Sequence, residues 1–317
     1  MTPAPADPAP ARLRALALAG RADRLGWIAR SVVDGAAGGA HRSRFRGEGA
    51  EFAEHKPYAP GDDPRQIDWR ALARSDRLVV RRAEGQRALA AELLLDVSRS
   101  MEFGTVEPEV AAGPDVPATK SEAAAMAAVV LGYALLRQGD AVTVTRVGAE
   151  PVPGPRRTGE AQLAALCADV AAGLPAEEDT AALSRAVADA RSRLRGRGLL
   201  LVLSDALEAD DRWLAALGAA RAQGHDVALI HLLDPAERDF PYRDPARFVD
   251  PEGGDEVRAH PARVARRYRA LFAAHVEGLV RRLQGADVLV RTVETGQPIR
   301  LALGPLFGRG GAAGGGR

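Results

Sequence analysis

A chain of 317 residues with 46% hydrophobic and 27% charged side chains has a globular composition, long enough for one large α/β domain with additions or for two domains. A formal net charge of +1 supplies no overall field to draw it onto nucleic acid or anionic lipid, and the single cysteine, Cys167, excludes an intramolecular disulfide and paired-cysteine metal sites. No run approaches the roughly 18 apolar residues of a membrane span, and "MTPAPADPAPAR" lacks the basic start and long apolar core of a secretion signal, so a cytoplasmic protein without an integral span is expected.

Residues 1–10 are rich in Pro and Ala and read as disordered. Residues 11–34 have helical composition and end at the glycines of "DGAAGG". Residues 41–90 carry dense charge of both signs with several turn signals, and strands are predicted at 77–82 and 90–96. A helix follows over 119–137, with Met126, Val129, Val130, Tyr133 and Leu136 at three-to-four spacing. "DAVTVTRV" alternates as a strand, and residues 159–172 and 181–194 are helical. "GLLLVLSD" is a continuously apolar strand of the kind covered on both faces. A helix over 210–223 leads to the buried strand "DVALIHLLD", then to a small irregular or β insertion near 234–258. Residues 260–284 form a long amphipathic helix through Val264, Tyr268, Leu271, His275, Val276, Leu279 and Leu283. "ADVLVRTV" closes the series as a strand, and 305–317 is a flexible Gly-rich tail. The implied division is a helix and charged segment over 11–90, packed on an α/β domain over 90–304.

Strands alternating with helices predict a mostly parallel, doubly wound sheet. Ligands of such sheets sit beyond the carboxyl ends of the strands. Two acids fall there, Asp96 after "LLL" and Asp205 after "LVLS". In "LLLDVSRSME" alternate residues of an extended segment point the same way, so Asp96, Ser98 and Ser100 converge. Their oxygens suit a hard cation, Mg²⁺ or Mn²⁺, rather than zinc. Short Asp/Ser patterns also arise in turns, where the side chains bond their own backbone. Asp179 and Thr180, which precede a helix, have an equally good reading as an N-cap.

This constellation resembles the metal-ion-dependent adhesion site of von Willebrand factor type A domains. That resemblance implies a fold of the same type, a ligand set of Asp96, Ser98, Ser100 and Asp205, and Thr180 as the later threonine. "GEGAEFAEHKPYAPGDDPRQIDWRALAR" over 47–74 resembles the signature of a bacterial family called domain of unknown function fifty-eight. The matching positions are Glu51, Phe52, Tyr58, Gly61, Asp62, Asp63, Arg65, Ile67, Asp68, Trp69, Ala73 and Arg74. "LLDPAERDFPYRDPARFVDPEGG" and "RVARRYRALFAAHVEGL" extend the likeness to roughly 40–300, and "ETGQPIRLALGPLF" departs from it. The resemblance implies a partner or adaptor role beside MoxR-type AAA+ ATPases and supplies no reaction.

Asp62, Asp63 and Asp68 admit three readings. One is structural pinning through Arg65, Arg74 and Arg81 with Trp69 as apolar anchor. A second is a partner-contact surface, and a third is acid/base work. "RLVVRRAEGQR" has acids interleaved and reads as a solvated sheet edge rather than a nucleic-acid site. His231 and His275 are expected to be packed, hydrogen-bonded histidines, and Cys167 a buried small side chain. No phosphate loop or nucleophile elbow occurs. The leading expectation is a non-enzymatic, metal-dependent protein-binding module. The alternative is a Mg²⁺-dependent phosphohydrolase or phosphotransferase with Asp96 as nucleophile. Such enzymes usually carry a second carboxylate where this chain has Ser98. They also need a cation for phosphate, and in the sequence only Arg99 is close.

Overall fold

The computed structural model describes residues 8–36, 54–57, 79–82, 88–107, 113–172, 182–207, 210–249 and 256–306. The chain divides into two compact units, Arg46–Ala88 and the remainder, Met1–Phe45 with Leu89–Arg317. In the smaller unit β1 (Glu54–Pro57) pairs antiparallel with β2 (Val79–Arg82).

The larger unit begins with α1 (Pro8–Ala36) and continues with β3 (Ala90–Asp96), α2 (Lys120–Arg137), β4 (Ala141–Val147), β5 (Pro151–Pro153), β6 (Arg157–Thr158), α3 (Leu163–Ala171) and α4 (Ala182–Arg193). It goes on through β7 (Leu199–Ser204), α5 (Asp211–Ala222), β8 (Asp226–Leu233), α6 (Pro235–Asp239), β9 (Ala246–Val249), β10 (Glu256–Ala259), α7 (Pro261–Gly285), β11 (Leu289–Glu294) and α8 (Ile299–Leu303). The sheet runs β11-β8-β7-β3-β4-β5, with β6 also on β4. From β11 to β4 every pair is parallel, and only the short edge strands β5 and β6 are antiparallel.

Burial on both faces explains the uninterrupted apolar strands. In β3, Leu93 and Leu95 face one core while Leu94 faces the other; in β7, Leu199, Leu201 and Leu203 oppose Leu200 and Val202. The first core is closed by α1, α2, α3 and α8, the second by α4, α5 and α7. Each of these fully buried leucines contributes roughly 2 kcal/mol of transfer free energy. Helix α2 is buried nearly all round, because the sheet lies under it and α1 and α3 lie over it. Gly132 permits that packing: a Cβ there would meet Leu166 Cδ2 at 2.7 Å. Within β3 the buried Glu92 is paired: its carboxylate accepts from Arg193 of α4 at 2.7 Å.

The mixed α/β class with a mostly parallel sheet is as expected, and β9 pairs with β10 inside the expected insertion. Four expectations change. Helix α1 starts at Pro8, within the segment read as disordered; Pro8 and Pro10 lie in its first turn, where a missing N–H is no loss. Leu306 follows α8 and is buried in the core, so the ordered chain runs past 304. Of the apolar stripe on α7 only Leu279 and Leu283 are buried, because the N-terminal part of the helix lies outside the sheet's footprint; Leu271 is 61% exposed. His275 is exposed for the same reason.

Candidate metal centre

Chain connections reverse direction between β3 and β7. From β3 the chain crosses by α2 to β4 on one side, and β7 lies on the other. That crevice is where an open parallel sheet receives a ligand. Asp96 ends β3 and Ser204 ends β7. Ser204 Oγ donates to Asp96 Oδ2 at 2.5 Å and accepts from Ala206 N at 2.9 Å. The other Asp96 oxygen, Oδ1, accepts from Ser98 N at 3.0 Å, which turns the chain off the strand. Ser98 remains extended, and its carbonyl accepts from Met101 N at 3.1 Å to open the short 3₁₀ turn Arg99–Glu102. Ser98 Oγ and Ser100 Oγ thereby come within 3.1 Å of each other. Gly104 lets the following loop close, since a Cβ there would lie 2.1 Å from Ala118 O.

Asp205 follows β7 directly. Its Oδ1 accepts from Leu207 N at 3.2 Å and its Oδ2 from Lys120 Nζ at 2.7 Å. His231 donates from Nε2 to the Asp205 carbonyl at 3.1 Å, which assigns its proton to that nitrogen. Ala206 takes a left-handed φ of 53°, an uncommon state for a residue with a Cβ and one concentrated at functional sites. Lys120 opens α2 beside its cap Thr119 and has no solvent exposure. Its ammonium also donates to Glu237 Oε1 at 2.6 Å. Glu237 is placed by a capping box with Asp234 at the start of α6. Asp234 is itself buried and accepts from Thr105 N, Thr105 Oγ1, Ala236 N and Thr295 Oγ1.

The electrostatics follow from burial. Burial pushes the Asp96 carboxyl up to about 6, with the nearby Asp205 charge adding and the bonds from Ser204 and Ser98 opposing. Burial would lower the Lys120 ammonium, but Asp205 and Glu237 outweigh it and hold it above its usual value. Glu237 is raised by burial, partly offset by Lys120. Burial lowers the His231 imidazole, so it stays neutral. One buried ammonium thus stands among four acids, Asp96, Asp205, Asp234 and Glu237.

The donors present suit a hard divalent cation. Two oxygens on adjacent corners of a Mg²⁺ octahedron lie about 3 Å apart, and the Ser98 and Ser100 hydroxyls meet that separation with Asp96 beside them. Among the described residues no group of three or more His, Cys, Asp or Glu is placed to hold a metal. When bound, such a cation supplies an electrophilic position for an anionic ligand.

The family model described as "Protein of unknown function DUF58" matches residues 54–278. The chain belongs to the DUF58 family. Similar proteins include the uncharacterized proteins Mb1516 of Mycobacterium bovis and Rv1480 of Mycobacterium tuberculosis, each 28% identical over 83% of this chain and 80% of its own length. Among solved structures, the conserved hypothetical protein BatB of Bacteroides thetaiotaomicron shares a TM-score of 0.43 at 14% identity, covering 69% of this chain and 97% of its own. An aerotolerance-related membrane protein of Bacteroides fragilis gives 0.39 at 13% identity, with 68% and 96% covered. In this DUF58 chain no helix among the described residues is long and apolar enough to cross a membrane.

Of the residues singled out in the sequence, Ser98 and Ser100 bring their hydroxyls within 3.1 Å of each other, Asp96 accepts from the Ser98 backbone N–H, and Asp205 stands at the neighbouring strand end with its carboxylate engaged by Lys120. Thr180 and Asp179 lie outside the described residues, as do Glu51, Phe52, Tyr58, Gly61, Asp62, Asp63, Arg65, Asp68, Trp69 and Arg74 of the family signature. Cys167 is buried in the core as expected, with its thiol pushed up to about 11 by burial. Sequence reasoning missed Lys120, Ser204, Asp234 and Glu237. Two signals were legible: a lysine at the positive end of an apolar helix, and the Asp-Pro-x-Glu capping box at 234–237.

In this DUF58 protein the Asp96 charge sets a pH dependence. Its carboxyl lies near 6 in the fold against 3.8 when free, so its contribution is fully present below pH 3.8 and is lost as pH rises through 6. In metal-free buffer Asp96→Asn is expected to exceed the wild type in stability by about 3 kcal/mol at pH 8, with the gap closing near pH 4. Urea unfolding at a series of pH values measures this; a gap constant with pH contradicts it.

Proposed function

We propose that this protein is a non-enzymatic, metal-dependent binding adaptor in which Asp96, Ser98 and Ser100 hold Mg²⁺ or Mn²⁺ and a vacant coordination position takes a carboxylate from a partner protein. In this reading the site is of the metal-ion-dependent adhesion type on a sheet of von Willebrand factor type A kind. The partner implied by the sequence resemblance is a MoxR-type AAA+ ATPase. The observation that carries the reading is the meeting of two serine hydroxyls at 3.1 Å beside a buried aspartate at the β3–β7 crevice. A buried carboxylate there is costly when charged and alone, and a divalent cation removes that cost.

The phosphohydrolase reading gains one point, because Lys120 brings a cation that the sequence pattern had not placed there. It loses more. The ammonium is clamped between Asp205 and Glu237, Asp96 Oδ2 is occupied by Ser204, and position 98 carries no second carboxylate.

The test is a pull-down of the purified MoxR-type ATPase of the same genome, in Mg²⁺ and in EDTA, by wild type, Asp96→Ala and Ser98→Ala. Retention is expected only for wild type in Mg²⁺. Equal retention in EDTA and by both variants would falsify the metal grip. Asp96-dependent turnover of a phosphate ester would restore the enzyme reading.

A further inference from the structure

We infer that Lys120 is a resident counter-cation that withholds Asp205 from the metal's inner coordination shell, leaving a position open for the partner's carboxylate. The inference rests on the metal-grip reading above and concerns how that grip is regulated.

Two features of its position oppose the Lys120 charge. It opens α2, where the helix dipole opposes a positive charge, and it is buried completely. Burying an ammonium costs several kcal/mol unless close counter-charges repay it. Here the repayment comes from Asp205 at 2.7 Å and Glu237 at 2.6 Å, both short charge-assisted bonds. The rest of the arrangement holds this ion cluster in place. Glu237 is fixed by the Asp234 capping box, and Asp234 is fixed by Thr105 and Thr295. The Asp205 carbonyl is held by His231 and its Oδ1 by Leu207 N.

Both oxygens of Asp205 are therefore engaged within the protein. A metal that took Asp205 directly would have to displace the ammonium and leave it buried with Glu237 alone. Both Asp96 oxygens are engaged too, but by neutral partners, a serine hydroxyl and a backbone N–H, so a metal that takes one of them strands no buried charge. With Asp205 withheld, Asp96 is the one anionic ligand among the placed candidates. A divalent ion bound there keeps positive charge to attract a further carboxylate. Metal and partner carboxylate then raise each other's affinity by the same factor, as linkage requires.

The test measures the dissociation constant of MgCl₂ for the full chain by calorimetry, with the Mg²⁺-induced rise in Tm as a second reading. Lys120→Met combined with Glu237→Gln removes one charge of each sign, so the local charge is unchanged while Asp205 loses its ammonium. This variant is expected to bind Mg²⁺ about tenfold tighter than wild type, about 1.4 kcal/mol. Asp205→Asn in the wild-type background is expected to weaken Mg²⁺ far less than Asp96→Asn does. Asp205→Asn decides the point even where the double variant fails to fold. If wild type binds Mg²⁺ and the double variant binds it equally or more weakly, or if Asp205→Asn loses Mg²⁺ as completely as Asp96→Asn, the role of Lys120 is overturned while the metal site stands. If wild type binds no Mg²⁺, the metal reading itself fails and this inference fails with it.

Discussion

Lys120→Met is expected to destabilise the protein by about 3–5 kcal/mol, the cost of breaking a buried ion cluster from one side. The side chain has no solvent exposure, and its loss leaves Asp205 and Glu237 facing each other without a cation. Methionine fills nearly the same volume, so cavity formation adds little. The deficit is expected to depend on pH. Burial already raises Glu237, and removal of its ammonium raises it further, so the protonated form becomes accessible on acidification. A carboxyl raised in the fold loses stability as pH rises, so the deficit is larger at pH 8 than at pH 5. Urea unfolding at the two pH values checks both parts. A loss below 1 kcal/mol at pH 8 means that the three charges are not mutually dependent.

Asp234→Ala is expected to cost about 2–3 kcal/mol, because it strands the buried Thr295 hydroxyl and the buried Ala236 N–H and releases the exposed Thr105. Asp234 accepts from Thr105 Oγ1 at 2.6 Å, Thr295 Oγ1 at 2.6 Å, Thr105 N at 3.0 Å and Ala236 N at 2.9 Å. It thereby ties the loop after β3, the end of β11 and the cap of α6 to one carboxylate. Asp234→Asn keeps the cap and is expected to cost about half as much. Burial alone would raise the Asp234 carboxyl, yet the bonds from Thr105 and Thr295 outweigh it and hold it below the usual value. Its contribution is therefore present above pH 3.8 and is lost as pH falls through the folded value. Thermal melts of the two variants, compared at pH 7 and pH 3, read the magnitude and the direction. An alanine variant within 1 kcal/mol of wild type assigns Asp234 no structural role.

Particular residues show where the sequence was sufficient. "AAELLLD" and "GLLLVLS" became β3 and β7 because a continuous apolar run flanked by charge has one stable place, the middle of a sheet covered on both faces. Ser98 and Ser100 approach each other by a different local route from the extended alternation expected: the chain leaves β3 at Asp96, and Ser100 lies in the 3₁₀ turn that begins after Ser98. The short edge strands β5 and β6 were not legible: two or three residues carry too little periodicity, and their pairing with β4 is decided by proximity. The stripe on α7 was legible as periodicity but not as burial, because periodicity does not tell how far a sheet extends beneath a helix.

The sequence by itself determined the alternating α/β order, the doubly covered strands and the local cluster after β3, since each follows from the spacing of residues along a few turns or one strand. Only the tertiary structure decided what surrounds that cluster. Lys120 is 85 and 117 positions from Asp205 and Glu237 along the chain, yet each carboxylate lies within 2.7 Å of its ammonium. Ser204 reaches Asp96 across 108 positions. No local period encodes such contacts. They arise because β3, β7 and β8 lie side by side in the sheet, and burial then makes the opposite charges each other's strongest partners.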